Sequence, residues 1–115
     1  MNKINRKLYE MHADVCRVFT SPKRLEIMDA LRTGEWPVGK LARKLRLSQA
    51  NLSQHLIILR EKGVVDTRRD GTTIYYSLAN PKIIKAFDII RKMLLEKMSD
   101  QGKTAKDILN FQKKR

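Results

Sequence analysis

A chain of 115 residues, 42% of them apolar, supports one modest core, and 25 Lys+Arg against 12 Asp+Glu leave a net charge of +13. Such an excess repels itself in a compact chain and points to a polyanionic partner, with nucleic acid ahead of an anionic membrane surface. The single cysteine, Cys16, excludes an intramolecular disulfide and an all-cysteine zinc site. No apolar run nears the ~20 residues that span a bilayer, and MNKINRKLYEMH lacks the apolar stretch of a signal peptide, so a cytoplasmic protein is expected.

In chain order, Ile4, Leu8, Met11, Val15, Val18 and Phe19 recur on one side of a first helix over residues 4–19. Ser21-Pro22 caps and starts a second, over about 22–32, that buries Leu25, Met28 and Leu31 with Ile27 on its flank, and Thr33-Gly34 closes it. The stretch from Pro37 to Gly63 then holds two short apolar-periodic segments joined by a polar break. Val38, Leu41, Ala42 and Leu45 mark the first, with Lys40, Arg43, Lys44 and Arg46 between them. Ser48 reads as the N-cap of the second, Leu52, Leu56 and Leu59 as its inward stripe, and Gly63 as its left-handed end. Asn51, Ser53 and Gln54 sit on the opposite side, short polar groups suited to base edges in a major groove. The pair reads as a helix-turn-helix.

After Gly63 the period becomes alternating. Residues 64–69 and 72–78 read as strands separated by Asp70-Gly71, a strong hairpin signal. A two-residue turn there pairs Arg69 with Thr72, Thr67 with Ile74 and Val65 with Tyr76. Val65, Ile74, Tyr76 and Leu78 share the core face, with Asp66 and Tyr75 on the other. The tip, RRDGTT, is basic, as a wing would be. Asn80-Pro81 opens a last helix with Ile83, Ile84, Phe87, Ile90, Leu94 and Met98 along one stripe, and Gly102 ends it. The tail KTAKDILNFQKKR reads either as a short amphipathic helix through Ile108, Leu109 and Phe111 or as a basic arm.

The expected fold is thus mostly α with a β-hairpin wing (α+β), a winged helix-turn-helix over residues 1–99 followed by a basic tail over 100–115. The first and last helices are more apolar than a small winged core can cover, which predicts a two-fold homodimer packed through them. Two recognition helices would then lie about one DNA turn (~34 Å) apart.

In this order and spacing, SPKRLEIMDALRTGE, LSQANLSQHLIILREKGVV and RRDGTTIYYSL make residues 10 to 98 resemble the ArsR/SmtB family of winged-helix repressors. The resemblance implies a homodimer that binds a palindromic operator in double-stranded DNA and releases it on meeting an effector. It also implies that Ser48, Gln49, Ser53, Gln54 and His55 are DNA-facing on the recognition helix, and Arg68 and Arg69 on the wing. On chemical grounds Gln54 is the best base reader, since its amide can pair bidentately with adenine. Ser48 and Gln49, at a helix N-terminus, suit phosphate. His55 reads either as a packed histidine or as a phosphate contact. Lys40, Arg43, Lys44 and Arg46 read as a cationic face that steers the DNA backbone, or as a merely solvated one.

The metal-sensing members of that family carry a Cys-x-Cys pair before the turn. Here the matching stretch is EWPVGKL, so Pro37 and Gly39 stand where the thiolates would be. A second family site draws Asp and His ligands from the last helix, but no histidine follows His55. Neither metal site is expected, and no cofactor is implied. Cys16 reads as a small packed core residue or, alternatively, as a thiol sensor, with His12 one turn before it offering at most a two-ligand metal site.

A sequence-specific repressor with an unidentified effector is the leading reading. A constitutive nucleoid-type architectural protein is the alternative, favoured by the basic excess and opposed by the neutral face of Asn51, Ser53 and Gln54. A redox regulator acting through Cys16 is the second alternative. An enzyme is not expected, since Cys16, His12 and His55 have no orienting carboxylate and no GxxxxGK[ST] motif is present. RNA binding is disfavoured by the scarcity of aromatics free to stack on bases.

Overall fold

The computed structural model describes residues 2–102 together with Asp107 and Asn110. It divides into two compact units, Met1–Pro81 and Lys82–Arg115. The first unit holds α1 (Lys3–Cys16), α2 (Pro22–Ala30), β1 (Trp36–Pro37), α3 (Val38–Leu45), α4 (Gln49–Glu61), β2 (Val65–Asp70) and β3 (Thr73–Leu78). The second holds α5 (Lys82–Asp100).

The helix starts follow the expected chemistry. Ser21 accepts a hydrogen bond from the Arg24 amide at 3.3 Å, with Pro22 in the first turn, and Ser48 accepts one from the Asn51 amide at 3.1 Å. The first helix is shorter than its apolar spacing implies. It tightens into a 3-10 turn over Arg17–Thr20, where the Thr20 hydroxyl donates to the Arg17 carbonyl and the Arg24 guanidinium donates to the Val18 and Arg17 carbonyls.

α2, α3 and α4 pack pairwise, and their facing side chains form the core of the first unit. Leu41, Leu52, Leu56 and Leu59 are fully buried, as the spacing predicts, each stabilising the fold by about 1.5–3 kcal/mol. On α2 the buried set differs from expectation. Ile27 and Met28 are fully buried while Leu25 is only half-buried. Because α2 meets both α3 and α4, its buried arc is wider than one helical stripe.

Both ends of the helix-turn-helix close alike. After α4, the Gly63 amide donates to the Arg60 carbonyl and the Val64 amide to the Leu59 carbonyl, with Gly63 left-handed at φ +73°. After α3, the Arg46 amide donates to the Arg43 carbonyl and the Leu47 amide to the Ala42 carbonyl. There the left-handed position, φ 56°, is held by Arg46, the only non-glycine with positive φ among the described residues.

The three strands form one antiparallel sheet in the order β1-β3-β2. The hairpin register differs from the expected one by two residues, with Arg69 opposite Ile74, Thr67 opposite Tyr76 and Val65 opposite Leu78. Asp70 belongs to the ladder, opposite Thr73, so the turn is Gly71-Thr72 rather than Asp70-Gly71. Gly71 takes a positive φ of 63° and Thr72 does not, the pattern of a hairpin turn with glycine at its first central position. A shift of two keeps every side chain on its face, so Val65, Ile74, Tyr76 and Leu78 still lie together.

In the second unit, α5 carries Phe87 buried and Ile89, Ile90, Met93 and Leu94 exposed. Gly102, left-handed at φ 79°, follows it as expected. The expected amphipathic turn through Ile108, Leu109 and Phe111 lies outside the described residues. Among the described residues no helix is long and apolar enough to cross a membrane.

Candidate nucleic-acid interface

The site is built from three neighbouring elements of the first unit. The Schellman-type end of α3 turns the chain sharply, so that α4 starts four residues after Leu45 with its leucines already facing α2 and α3. Burying Leu52, Leu56 and Leu59 fixes the rotation of α4 about its axis. That leaves Gln49, Ala50, Asn51, Gln54 and Ile57 exposed and Ser53 half-buried at the edge. Ala50, Gln54 and Ile57 share one face at helical spacing. Ser48, Gln49, Asn51, Ser53 and Gln54 are therefore brought together on or beside the outward side of α4, while Ala50 and Ile57 are apolar members of it that the reading for polar groups passed over.

His55 points differently. It is half-buried, and its Nδ1 atom is buried without a hydrogen-bond partner among the described residues. That nitrogen is packed away from solvent, without the hydrogen bond that a packed histidine would be expected to make.

Next to α4, Lys40, Arg43, Lys44 and Arg46 are all exposed on α3 and its C-terminal turn. Lys44 lies 5.8 Å from the centre of the Trp36 ring, whose indole N–H donates to the Thr33 hydroxyl at 3.1 Å. The Gln49 amide nitrogen is 3.5 Å from where a Cβ on Gly39 would stand, so α4 begins close against α3 at that glycine. Pro37 and Gly39, at the family's thiolate positions, serve here as the start of α3 and as this close approach. Among the described residues no three His, Cys, Asp or Glu side chains gather as a metal cluster.

The two wing arginines, paired in the sequence, have different surroundings. Arg68 spans the sheet. Its strand partner is Tyr75, which in turn faces Pro37 on β1, and its guanidinium lies 4.5 Å over the Tyr75 ring. Beyond β1 it donates from both Nε (3.2 Å) and a terminal nitrogen (2.5 Å) to the two carboxylate oxygens of Glu35. The hydrogen bond from Arg68 holds the Glu35 carboxyl below its ordinary value, against partial desolvation, and Glu35 likewise raises the Arg68 guanidinium. Arg68 is thus exposed but already paired, with the Glu35 carboxylate and the Tyr75 ring as its partners. Arg69, on the other face of β2, is exposed and has no ion pair or hydrogen bond among the described residues.

Cys16 is the last residue of α1 and is exposed as a free thiol. The expectation of a packed core residue is corrected: α1 gives up its α-helical turn at Cys16, and Val18 two residues later takes the buried position. His12 is exposed one turn earlier.

Comparison with known proteins adds to this geometry. A family model described as bacterial regulatory protein, arsR family, matches residues 21–67, from the Ser21 cap into β2. The nodulation protein NolR of Rhizobium meliloti is 47% identical over 76 residues, which is 66% of this chain and 62% of NolR. An HTH-type transcriptional regulator of Mycobacterium tuberculosis, Rv0081, is 35% identical over 102 residues, 88% of this chain and 90% of its own length. Its crystal structure superimposes with a TM-score of 0.74 over 82% of this chain and 95% of that one. The homodimeric winged helix-turn-helix DNA-binding domain of Mb0332 from Mycobacterium bovis is 26% identical and superimposes with a TM-score of 0.75, over 82% and 87% of the two chains.

Proposed function

We propose that this chain, which belongs to the arsR family of bacterial regulatory proteins, is a repressor that binds a two-fold symmetric DNA site as a homodimer. The observation that carries the reading is the outward face of α4. It offers Gln54 and Asn51, exposed and uncharged, beside the exposed cations of α3. Neutral amides in the middle of that face add no charge for backbone adhesion and suit base edges, whereas Lys40, Arg43, Lys44 and Arg46 suit phosphates.

The dimer rests on apolar faces that one copy leaves in water. Ile4, Leu8 and Met11 are 79%, 62% and 56% exposed on α1, and Ile89, Ile90, Met93 and Leu94 are 48% to 62% exposed on α5. Faces of this kind mark association surfaces. A second copy of the chain, bringing the same faces about a two-fold axis, satisfies them by the least number of new parts. Two copies of α4 then read two half-sites, and occupation of that DNA excludes transcription. Gln54 reads adenine, Ser48 and Gln49 hold phosphate at the start of α4, and Arg69 holds phosphate from the wing.

Fluorescence anisotropy of the protein on DNA from upstream of its own gene, against a scrambled duplex and over a salt series, tests this. Discrimination above about 10³ at physiological salt is expected for the repressor. Near-equal affinities that collapse together with salt would instead identify a nucleoid-type protein. Gln54→Ala is expected to cost about 1–3 kcal/mol on the specific duplex and little on the scrambled one.

A further inference from the structure

We infer that Ile57 is a specificity-determining residue, which reads the C5-methyl group of a thymine beside the base pair contacted by Gln54. The inference rests on the reading of α4 as the helix that enters the major groove. Among the described residues, the large apolar side chains that stand exposed lie on α1 and α5, with two exceptions, Ile57 and Ile58 on α4. The α1 and α5 faces are accounted for by a second copy of the chain. The α4 pair is not, because it stands on the side that the buried Leu52, Leu56 and Leu59 turn outward.

Of the two, Ile57 is the more exposed, at 57% against 36%, and it continues the row that begins at Ala50 and passes between Ser53 and Gln54. Residues three and four apart on a helix have their Cβ atoms about 5–6 Å from one another, so the end of Ile57 lies alongside the Gln54 amide. Three residues advance the helix by about 4.5 Å, a little more than one base-pair step of ~3.4 Å. The major-groove edge of DNA offers one apolar group, the thymine methyl, and the other base-edge atoms there are donors or acceptors. A branched aliphatic side chain pressed against an amine or carbonyl edge would leave that polar group without water or partner. Ile57 therefore selects thymine by contact and rejects other bases by desolvation. Together with Gln54 it calls for an A·T-rich step in each half-site.

The test starts from duplexes enriched on the full-length protein from a random-sequence library. Each thymine is then replaced in turn by deoxyuridine, which removes the methyl and keeps the base pair, and affinities are measured for wild type, Ile57→Ala and Ile58→Ala. One thymine per half-site should cost wild type about fourfold when its methyl is removed, the effect of one buried carbon. The same replacement should cost Ile57→Ala nothing, and Ile57→Ala should lose affinity on the thymine duplex alone. Both variants change exposed positions and keep a good helix former, so folding is retained.

Equal losses in wild type and Ile57→Ala, or coupling to Ile58→Ala alone, would overturn the inference. So would a change in sedimentation of Ile57→Ala, which would make Ile57 a contact between protein copies. If sequences are enriched and Gln54→Ala abolishes the enrichment while no thymine couples to Ile57, the inference alone fails. If no sequence is enriched at all, the regulator reading fails and carries the inference with it.

Discussion

The Asp14 carboxylate, in the last turn of α1, accepts hydrogen bonds from the Lys62 ammonium at 2.8 Å and 3.0 Å through its two oxygens. Lys62 is the residue that caps α4, so one ion pair ties the end of the first helix to the end of the recognition helix. Arg17 adds a third bond to Asp14, at 2.8 Å.

That arrangement predicts an acid-dependent anchor. The Lys62 hydrogen bond holds Asp14 below its ordinary value of 3.8, outweighing the desolvation that would raise it, with the Lys62 charge and Arg17 adding to the effect. A carboxyl whose folded-state value is depressed contributes stability above its unfolded value and loses it as pH falls through the folded one. Asp14→Asn should therefore lower the urea midpoint slightly at neutral pH, and the difference from wild type should close as the pH drops below 3.8. A gap that persists unchanged at low pH would show that the carboxylate charge is not what anchors α1.

The wing arginines should separate in a salt titration. Arg69→Ala removes a cation that is free to meet phosphate, so affinity falls on every duplex and the salt slope flattens by about one unit. Arg68→Ala removes a cation already neutralised by Glu35, so the slope should hardly move while the unfolding midpoint falls with the loss of the fork and the Tyr75 stack. Anisotropy and urea unfolding on the two variants check both halves. Equal slopes for both variants would show that DNA draws Arg68 away from Glu35.

Arg46 gives the third prediction. A non-glycine left-handed residue costs roughly 1–2 kcal/mol of backbone strain, which glycine avoids at the expense of about 0.5–1 kcal/mol of unfolded-state entropy. Arg46→Gly should leave stability unchanged or raise it by up to about 1 kcal/mol. The same variant should bind DNA less tightly, because the turn loses a cation beside the start of α4. Weaker folding of the glycine variant would mean that the Arg46 side chain, not its backbone, holds the turn.

The apolar face of α1 supplies the fourth. Leu8→Glu places a charge on a side chain that is 62% exposed in one copy. A monomer should tolerate it within about 0.5 kcal/mol, whereas a homodimer packed on that face should dissociate, by sedimentation, to the single-chain mass. Unchanged dimer mass in Leu8→Glu would move the interface to α5 alone.

Much of this was legible in the residues because local chemistry and global fold agree. Ser21 and Ser48 announce their helices, Gly63 ends its own, and the leucine spacing of α4 fixes which side faces out. The hairpin shows the limit of patterning. A register error of two leaves every side chain on its face, so alternation cannot distinguish Asp70-Gly71 from Gly71-Thr72 as the turn, and both are permitted by glycine. Ile27 is buried rather than flanking because a short helix packed against two others buries more than a stripe. The string RRDG presents Arg68 and Arg69 as equals, because the carboxylate that pairs with Arg68, Glu35, stands 33 positions away. Of the side chains expected at the interface, Ser48, Gln49, Asn51 and Gln54 lie on or beside the outward side of α4, whereas the Nδ1 of His55 is buried and the exposed Arg68 is paired with Glu35.

The Glu35 fork has an electrostatic side as well. With Asp66 and Asp70 both in the ladder, the wing region carries Arg68 and Arg69 against Glu35, Asp66 and Asp70, two cations outnumbered by three anions. Within a Debye length of DNA the wing therefore presents little net positive charge, whereas Lys40, Arg43, Lys44 and Arg46 present four exposed cations beside the start of α4. The α3 cations and the near-neutral wing thus divide the DNA-facing charge unequally between two neighbouring elements.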